Sequence, residues 1–211
     1  MADGGERELR LFVACELPAE VRSALGAIQE DLRRLDLPRL RWTRTEGIHV
    51  TLKFLGAVEA SRVDAMRSAL EAAVTPFELR LRLSSLGGFG GARVRVVWAG
   101  LDGDVDGLAS LAEAVDGALT PLGFSRERRP FAAHLTLARV PDQLPATERR
   151  KIGEVIDGYR STRTPSMILT RVALMRSILG GPGGAVYERL AAFPPAAGGQ
   201  GPPGGSQAPP A

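Results

Sequence analysis

Apolar and polar positions along this chain follow two rhythms that take turns, an apolar or alternating run and then a spacing of three and four. Residues 9–17 are mostly apolar and end at Pro18, which predicts a strand. Residues 19–34 carry Val21, Leu25, Ile28 and Leu32 on one stripe and predict an amphipathic helix. A short strand over 41–43 and a longer one over 47–55 follow. Residues 60–74 repeat the helical stripe with Val63, Met66, Leu70 and Val74, and Pro76 stops it.

A second round begins with a half-exposed strand over 77–86 and a turn at Gly87-Gly88-Phe89-Gly90-Gly91. Residues 94–101 predict a strand, 105–122 a helix with Leu108, Leu111, Val115 and Leu119, and 131–140 another strand. Residues 146–157 predict a short charged helix. Two last strands, 168–178 and 186–193, flank a glycine-rich turn at 180–184. Each round runs strand, long helix, strand, so the pattern predicts an α+β fold built from a duplicated unit. Its two lobes would face one another across a cleft. The expected domain spans 8–193, with a flexible start over 1–7. The tail over 194–211 is almost entirely Pro, Gly, Ala, Gln and Ser and is expected to be disordered.

Composition narrows the class. At 211 residues and 44% apolar, the chain is sized for one domain or two small lobes sharing a core. The formal charge of +3 suits an anionic partner without identifying one. The single cysteine, Cys15, lies in the run Leu11-Phe12-Val13-Ala14-Cys15 and reads as a small buried hydrophobe. No stretch approaches the ~20 apolar residues that a spanning helix needs. No apolar segment follows a basic start at the N-terminus either, so the expectation is a soluble cytoplasmic protein with no membrane partner. The glycine cluster at 87–91 is followed by a strand rather than a helix, which argues against a dinucleotide loop, and no Gly-Lys-Ser/Thr triplet is present.

The chemistry concentrates in the only two histidines, each opening the same phrase: His49-Val50-Thr51-Leu52 and His134-Leu135-Thr136-Leu137. They lie 85 residues apart (134 − 49), close to half of the expected folded part. In a strand, His49, Thr51 and Lys53 share one face, and Val50, Leu52 and Phe54 take the other as core. His134 and Thr136 likewise share a face, while Arg139 falls off the strict alternation unless the strand ends or bulges. Two imidazoles flanking one phosphorus centre suit acid–base work, one taking a proton from water and the other giving one to the leaving oxygen. Threonine hydroxyls can bind the non-bridging oxygens, and a nearby cation can offset their charge. That arrangement requires no metal or cofactor. A metal site is poorly supported, with no third histidine, no cysteine pair and no HExxH spacing. A serine triad is poorly supported too, since no GxSxG elbow occurs.

These residues resemble the two-histidine (HxTx) phosphoesterase superfamily, and within it the bacterial and archaeal RNA 2′,3′-cyclic phosphodiesterases. The likeness includes Arg10-Leu11-Phe12-Val13-Ala14, Arg41-Trp42-Thr43, and Lys53-Phe54-Leu55-Gly56 after the first motif. It continues through Gly87-Gly88-Phe89, Ala138-Arg139, Met175-Arg176-Ser177 and Val186-Tyr187-Glu188-Arg189-Leu190, spanning roughly residues 8–193. The resemblance implies two pseudo-twofold-related lobes with antiparallel sheets around a central cleft. It implies hydrolysis of RNA 2′,3′-cyclic phosphate ends to 2′-phosphomonoesters, with reverse 2′–5′ joining of tRNA halves as a second capability. It makes His49 the proton donor, His134 the proton acceptor, and Thr51, Thr136 and Arg139 the phosphate-binding set. Lys53 is a further candidate phosphate contact, and Phe12 or Trp42 a candidate base platform. Arg126, Arg128 and Arg129, upstream of His134, are candidates for an RNA backbone. One departure is Ala133, where relatives usually carry proline before the second histidine. The alternatives are a phosphodiesterase for another cyclic or 2′–5′ nucleotide, and an RNA-end-binding module without hydrolysis. Two lobes in one chain complete the site, so a monomer is expected.

Overall fold

The computed structural model describes residues 8–91, 93–181 and 184–195. The expectations for the start over 1–7 and for the tail from residue 196 concern residues outside this set.

Each predicted helix forms where the apolar stripe lies. α1 (Ala19–Arg34) follows Pro18 and buries Val21, Leu25, Ile28 and Leu32. α2 (Val63–Ala73) buries Met66 and Leu70, and α3 (Val105–Leu119) buries Leu108, Val115 and Leu119. α4 (Ala146–Gly158) follows Pro145 and buries Ile152 and Ile156 beneath its charged outer face. Short 3-10 turns precede α2 and follow α3. Among the described residues no helix is long and apolar enough to cross a membrane.

The strands make two antiparallel sheets. The first orders β3 (His49–Glu59), β1 (Glu8–Glu16), β8 (Val172–Gly181) and β9 (Gly184–Phe193). The second orders β2 (Arg41–Trp42), β6 (His134–Arg139), β5 (Val96–Gly103), β4 (Leu79–Phe89) and β7 (Ser166–Leu169). The duplication is visible as β1-α1-β3-α2-β4 repeated by β5-α3-β6-α4-β8. The last strand of each round crosses over: β4 pairs with β5 of the second round, and β8 pairs with β1 of the first. The two halves are therefore tied together by backbone hydrogen bonds as well as by packing.

Two expectations are corrected. The single strand over 168–178 is two, because Thr170 and Arg171 break it and β7 joins the second sheet while β8 joins the first. Gly87, Gly88 and Phe89 are strand rather than turn. A Cβ on Gly87 would stand 2.2 Å from the Trp98 ring across the β4–β5 pair, so glycine is what lets the indole lie flat on the sheet.

One continuous core packs the helices against the sheets, with Leu11, Val13, Cys15, Val50 and Leu135 fully or almost fully buried in it. A second, smaller apolar group, Phe12, Ala14, Ala173 and Met175, projects from the other face of the first sheet and carries Tyr187. Alternation along β1 divides the two groups, so β1 is apolar on both faces, and the candidate site rests on the smaller one.

Candidate active site

Both motif strands begin in the same way. The Nδ1–H of His49 donates to the Gly47 carbonyl at 2.7 Å, and the Nδ1–H of His134 donates to the Ala132 carbonyl at 2.7 Å. A carbonyl only accepts, so each bond fixes the tautomer and leaves Nε2 as the working nitrogen. Ala133 occupies the place that Ile48 holds before His49, and the carbonyl bond forms without a proline at either position.

Both strands also bulge at the same place. In β3 the partners of Val13 and Ala14 are Lys53 and Thr51, which leaves Leu52 as the extra residue. In β6 the partners of Val97 and Trp98 are Ala138 and Thr136, which leaves Leu137 as the extra residue. A bulge shifts the phase of every following side chain. His49 and Thr51 stay on the cleft face, Leu52 and Lys53 both turn to the core, and Phe54 returns to the cleft, 70% exposed. His134 and Thr136 are followed by buried Leu137 and Ala138, and Arg139 returns to the face of Thr136. Phe54 is thus the internal counterpart of Arg139, and Lys53 that of Ala138.

This corrects the reading of Lys53 as a phosphate contact and of Phe54 as core. The Lys53 ammonium is buried, bonded to the Asp116 carboxylate of α3 and, at 2.8 Å, to the Ser125 carbonyl. Burial alone would raise the Asp116 carboxyl, but Lys53, the Glu127 amide and Arg126 together hold it below the usual carboxylate value. The pair anchors the segment that leads to His134.

The cleft encloses about 520 Å³ and is lined by His49, Thr51, Phe54, Thr136, Arg139 and Tyr187, among others. Arg10, Thr43 and Ser177 add polar groups to its wall. Among the described residues neither Arg10 nor Arg139 has a carboxylate partner, which leaves the cleft positive. His134 stands two residues before Thr136 on the same strand face, and its charge acts on His49. The structure therefore brings His49, Thr51, Thr136 and Arg139 to one cleft, with His134 beside them.

The two imidazoles differ in their surroundings. His49 stacks on Phe12 (centroids 4.7 Å apart, 26° between planes) and meets Tyr187 edge-on at 5.1 Å. Burial pushes its pKa below the usual 6.5, the Gly47 carbonyl bond opposes that, and the charge of His134 adds to the lowering. Among the described residues the one ring that His134 meets is Phe89, nearly perpendicular to it with centroids 4.7 Å apart, and His134 is the more open of the two. Phe12 lines the cleft but is 3% exposed and stacked on His49, so it backs the imidazole and does not offer the free face that a base platform needs. Trp42 is covered by the Arg33 guanidinium, 4.8 Å from the ring centroid. The Cys15 thiol is buried, with its pKa pushed up to about 12, and is inert. Among the described residues no group of three or more His, Cys, Asp or Glu is arranged to hold a metal ion.

Sequence reasoning missed Tyr187, Phe54, Arg10, Thr43 and Ser177 as cleft residues. Tyr187 comes from β9 at the far end of the chain, and a Cβ on Gly47 would stand 2.9 Å from its ring. That close approach is a reason for glycine beside His49.

A family model described as LigT like Phosphoesterase matches residues 16–98 and 101–187. The chain belongs to the LigT-like phosphoesterase family. The RNA 2′,3′-cyclic phosphodiesterase of Methanothermobacter thermautotrophicus is 29% identical over 190 residues, covering 88% of this chain and 98% of that protein. The protein of the same name from Aeropyrum pernix is 34% identical over 156 residues, covering 70% and 87%. Escherichia coli LigT complexed with 3′-AMP shares the fold with a TM-score of 0.68 at 25% identity, covering 88% of this chain and 97% of that one. The bilobal α+β fold with two antiparallel sheets is thus the fold of LigT-like phosphoesterases, and relatives of this chain are phosphodiesterases.

Proposed function

We propose that this chain hydrolyses RNA 2′,3′-cyclic phosphate ends to 2′-phosphomonoesters through His49 and His134. The observation that carries the reading is the matched pair of Nδ1–H bonds to backbone carbonyls, which frees both Nε2 atoms for proton transfer. The names of the relatives supply the substrate class.

In this reading water attacks phosphorus while His134 Nε2 takes its proton. The bond from phosphorus to the 3′ oxygen breaks, and His49 Nε2 gives that oxygen a proton, leaving a 2′-phosphate and a 3′-hydroxyl. Each transfer is worth about 10²–10⁴ in rate. The enclosure of His49 fits the donor role, because an imidazole with a lowered pKa is the stronger acid once protonated. The anionic diester offsets the burial and helps it hold that proton. Thr51 and Thr136 donate to the non-bridging oxygens, and Arg139 balances their charge.

The test is a short RNA ending in a 2′,3′-cyclic phosphate, assayed with and without EDTA and with product identification. A 2′-phosphate product at a rate unchanged by EDTA is expected, since the proton traffic uses no metal. No turnover, a 3′-phosphate product or loss of rate with EDTA overturns the reading. A 5′-hydroxyl in place of water would leave a 2′–5′ phosphodiester by the same steps, and the product analysis reads that as well.

A further inference from the structure

A second concavity, of about 530 Å³, is lined by Phe89, Gly90, Arg93, Arg95, Val96 and Arg129. Its three arginines come from two separate stretches, the connection between β4 and β5 and the segment that leads to His134. Elsewhere arginines are mostly tied down: Arg126 to Asp116, Arg189 to Glu16, and Arg149 to three backbone carbonyls. Among the described residues none of the three guanidinium groups in this hollow has a carboxylate partner. Glu127, the acid closest in sequence, turns its carboxylate to the amides of Arg128 and Arg129. Three uncompensated charges around one hollow repel one another, and an anion seated there reverses the cost. Planar guanidinium groups suit a phosphate, which accepts two bonds at once.

The hollow borders the candidate site directly. Phe89 forms part of its wall and also meets the His134 ring at 4.7 Å. Val96, another wall residue, pairs with Arg139 across β5 and β6. Arg126, expected to serve an RNA backbone, belongs instead to the Lys53–Asp116 cluster, so Arg93 and Arg95 are the partners of Arg129.

We infer that this hollow binds the phosphodiester immediately upstream of the terminal ribose, so that the substrate is the end of a polynucleotide. Phe89, partly exposed, offers aromatic surface to the upstream sugar or base. The inference rests on the reading of the cleft as a cyclic phosphodiesterase.

The experiment compares four substrates: a nucleoside 2′,3′-cyclic phosphate, the same with a 5′-phosphate, a dinucleotide and a tetranucleotide with the same cyclic end. The dinucleotide should exceed the bare nucleoside at least tenfold in kcat/KM, with little further gain in the tetranucleotide. The 5′-phosphorylated nucleoside tells a free phosphate from a bridging one: the inference predicts a gain for the dinucleotide beyond it, and equal gains overturn the assignment to a phosphodiester. The Arg93→Ala/Arg95→Ala/Arg129→Ala variant should lose the dinucleotide advantage and keep its rate on the bare nucleoside. Its dinucleotide kcat/KM should also fall less steeply with salt, since the attraction that salt screens, between the arginines and the bridging phosphate, has been removed. Should the triple variant lose turnover on the nucleoside too, Arg93→Gln and Arg129→Gln are read singly, and each should remove part of the advantage. Equal rates on nucleoside and dinucleotide, or an advantage that survives every substitution, overturn the inference. Failure to hydrolyse any of the four overturns the cyclic phosphodiesterase reading itself.

Discussion

Gln29 and Leu137 stand 108 residues apart, yet the Gln29 side-chain amide donates to the Leu137 carbonyl at 2.9 Å. The same amide donates to the Thr43 carbonyl at 2.8 Å, and the Thr43 amide donates to the Leu137 carbonyl at 2.9 Å. Leu137 is the extra residue of the β6 bulge, so its carbonyl needs partners outside the β5 ladder. Gln29, 1% exposed on α1, supplies one of them and ties the first helix to the strand that carries Thr136 and Arg139.

Gln29→Glu keeps the shape and removes the donors. It should lower kcat about tenfold or more through misplacement of Arg139, and stability by about 1–3 kcal/mol. Thermal unfolding and steady-state kinetics check both. A normal kcat in a destabilised protein would mean that Gln29 holds the fold alone.

Asp116→Ala leaves Lys53 buried without its acid and should cost about 3–5 kcal/mol in denaturant unfolding. The folded carboxyl is held below its ordinary 3.8 against the opposing effect of burial. The stabilisation from this pair is therefore complete above the unfolded carboxyl's pKa and is lost as pH falls through the lower folded value. A wild-type protein without extra acid sensitivity relative to Asp116→Asn would contradict this.

The pH profile should carry the enclosure of His49. A proton donor must be protonated, so kcat/KM should decline as pH rises, with a limb below 6.5 in the free enzyme. In kcat the limb should move up, because the bound diester's charge favours the imidazolium. Tyr187→Ala opens the ring to water and should raise the limb in kcat/KM, whereas an unmoved limb would detach it from His49.

Phe54 and Arg139 hold equivalent places after the two bulges, and that difference makes a near-symmetric cleft directional. Arg139→Ala should lower kcat/KM about 10²–10³-fold, and Arg139→Lys should recover only part of it. Phe54→Ala, at a 70% exposed position, should leave stability unchanged and raise KM. Equal effects of the two alanine substitutions on kcat would contradict the division of labour.

Local pattern made much of this legible. The stripes of α1 to α3 and the two His-x-Thr phrases lie where spacing puts them, because both depend on near neighbours. The bulges at Leu52 and Leu137 do not announce themselves, since each is decided by the partner strand. Strict alternation therefore sent Lys53 to the cleft and Phe54 to the core. The exchange of β4 and β8 between lobes, and the arrival of Tyr187 beside Gly47, are long-range pairings with no local signature. Arg139 joined the site by resemblance, and the β6 bulge supplies the physical reason.

The most direct measurement is the turnover of a cyclic-ended RNA by His49→Ala, His134→Ala and the double variant, with circular dichroism to verify folding. If the two imidazoles serve one phosphorus atom, each single substitution should cut kcat by about 10²–10⁴. The double variant should then fall little further, because groups that act as a unit are not additive. Near-normal turnover in either folded single variant would contradict the account.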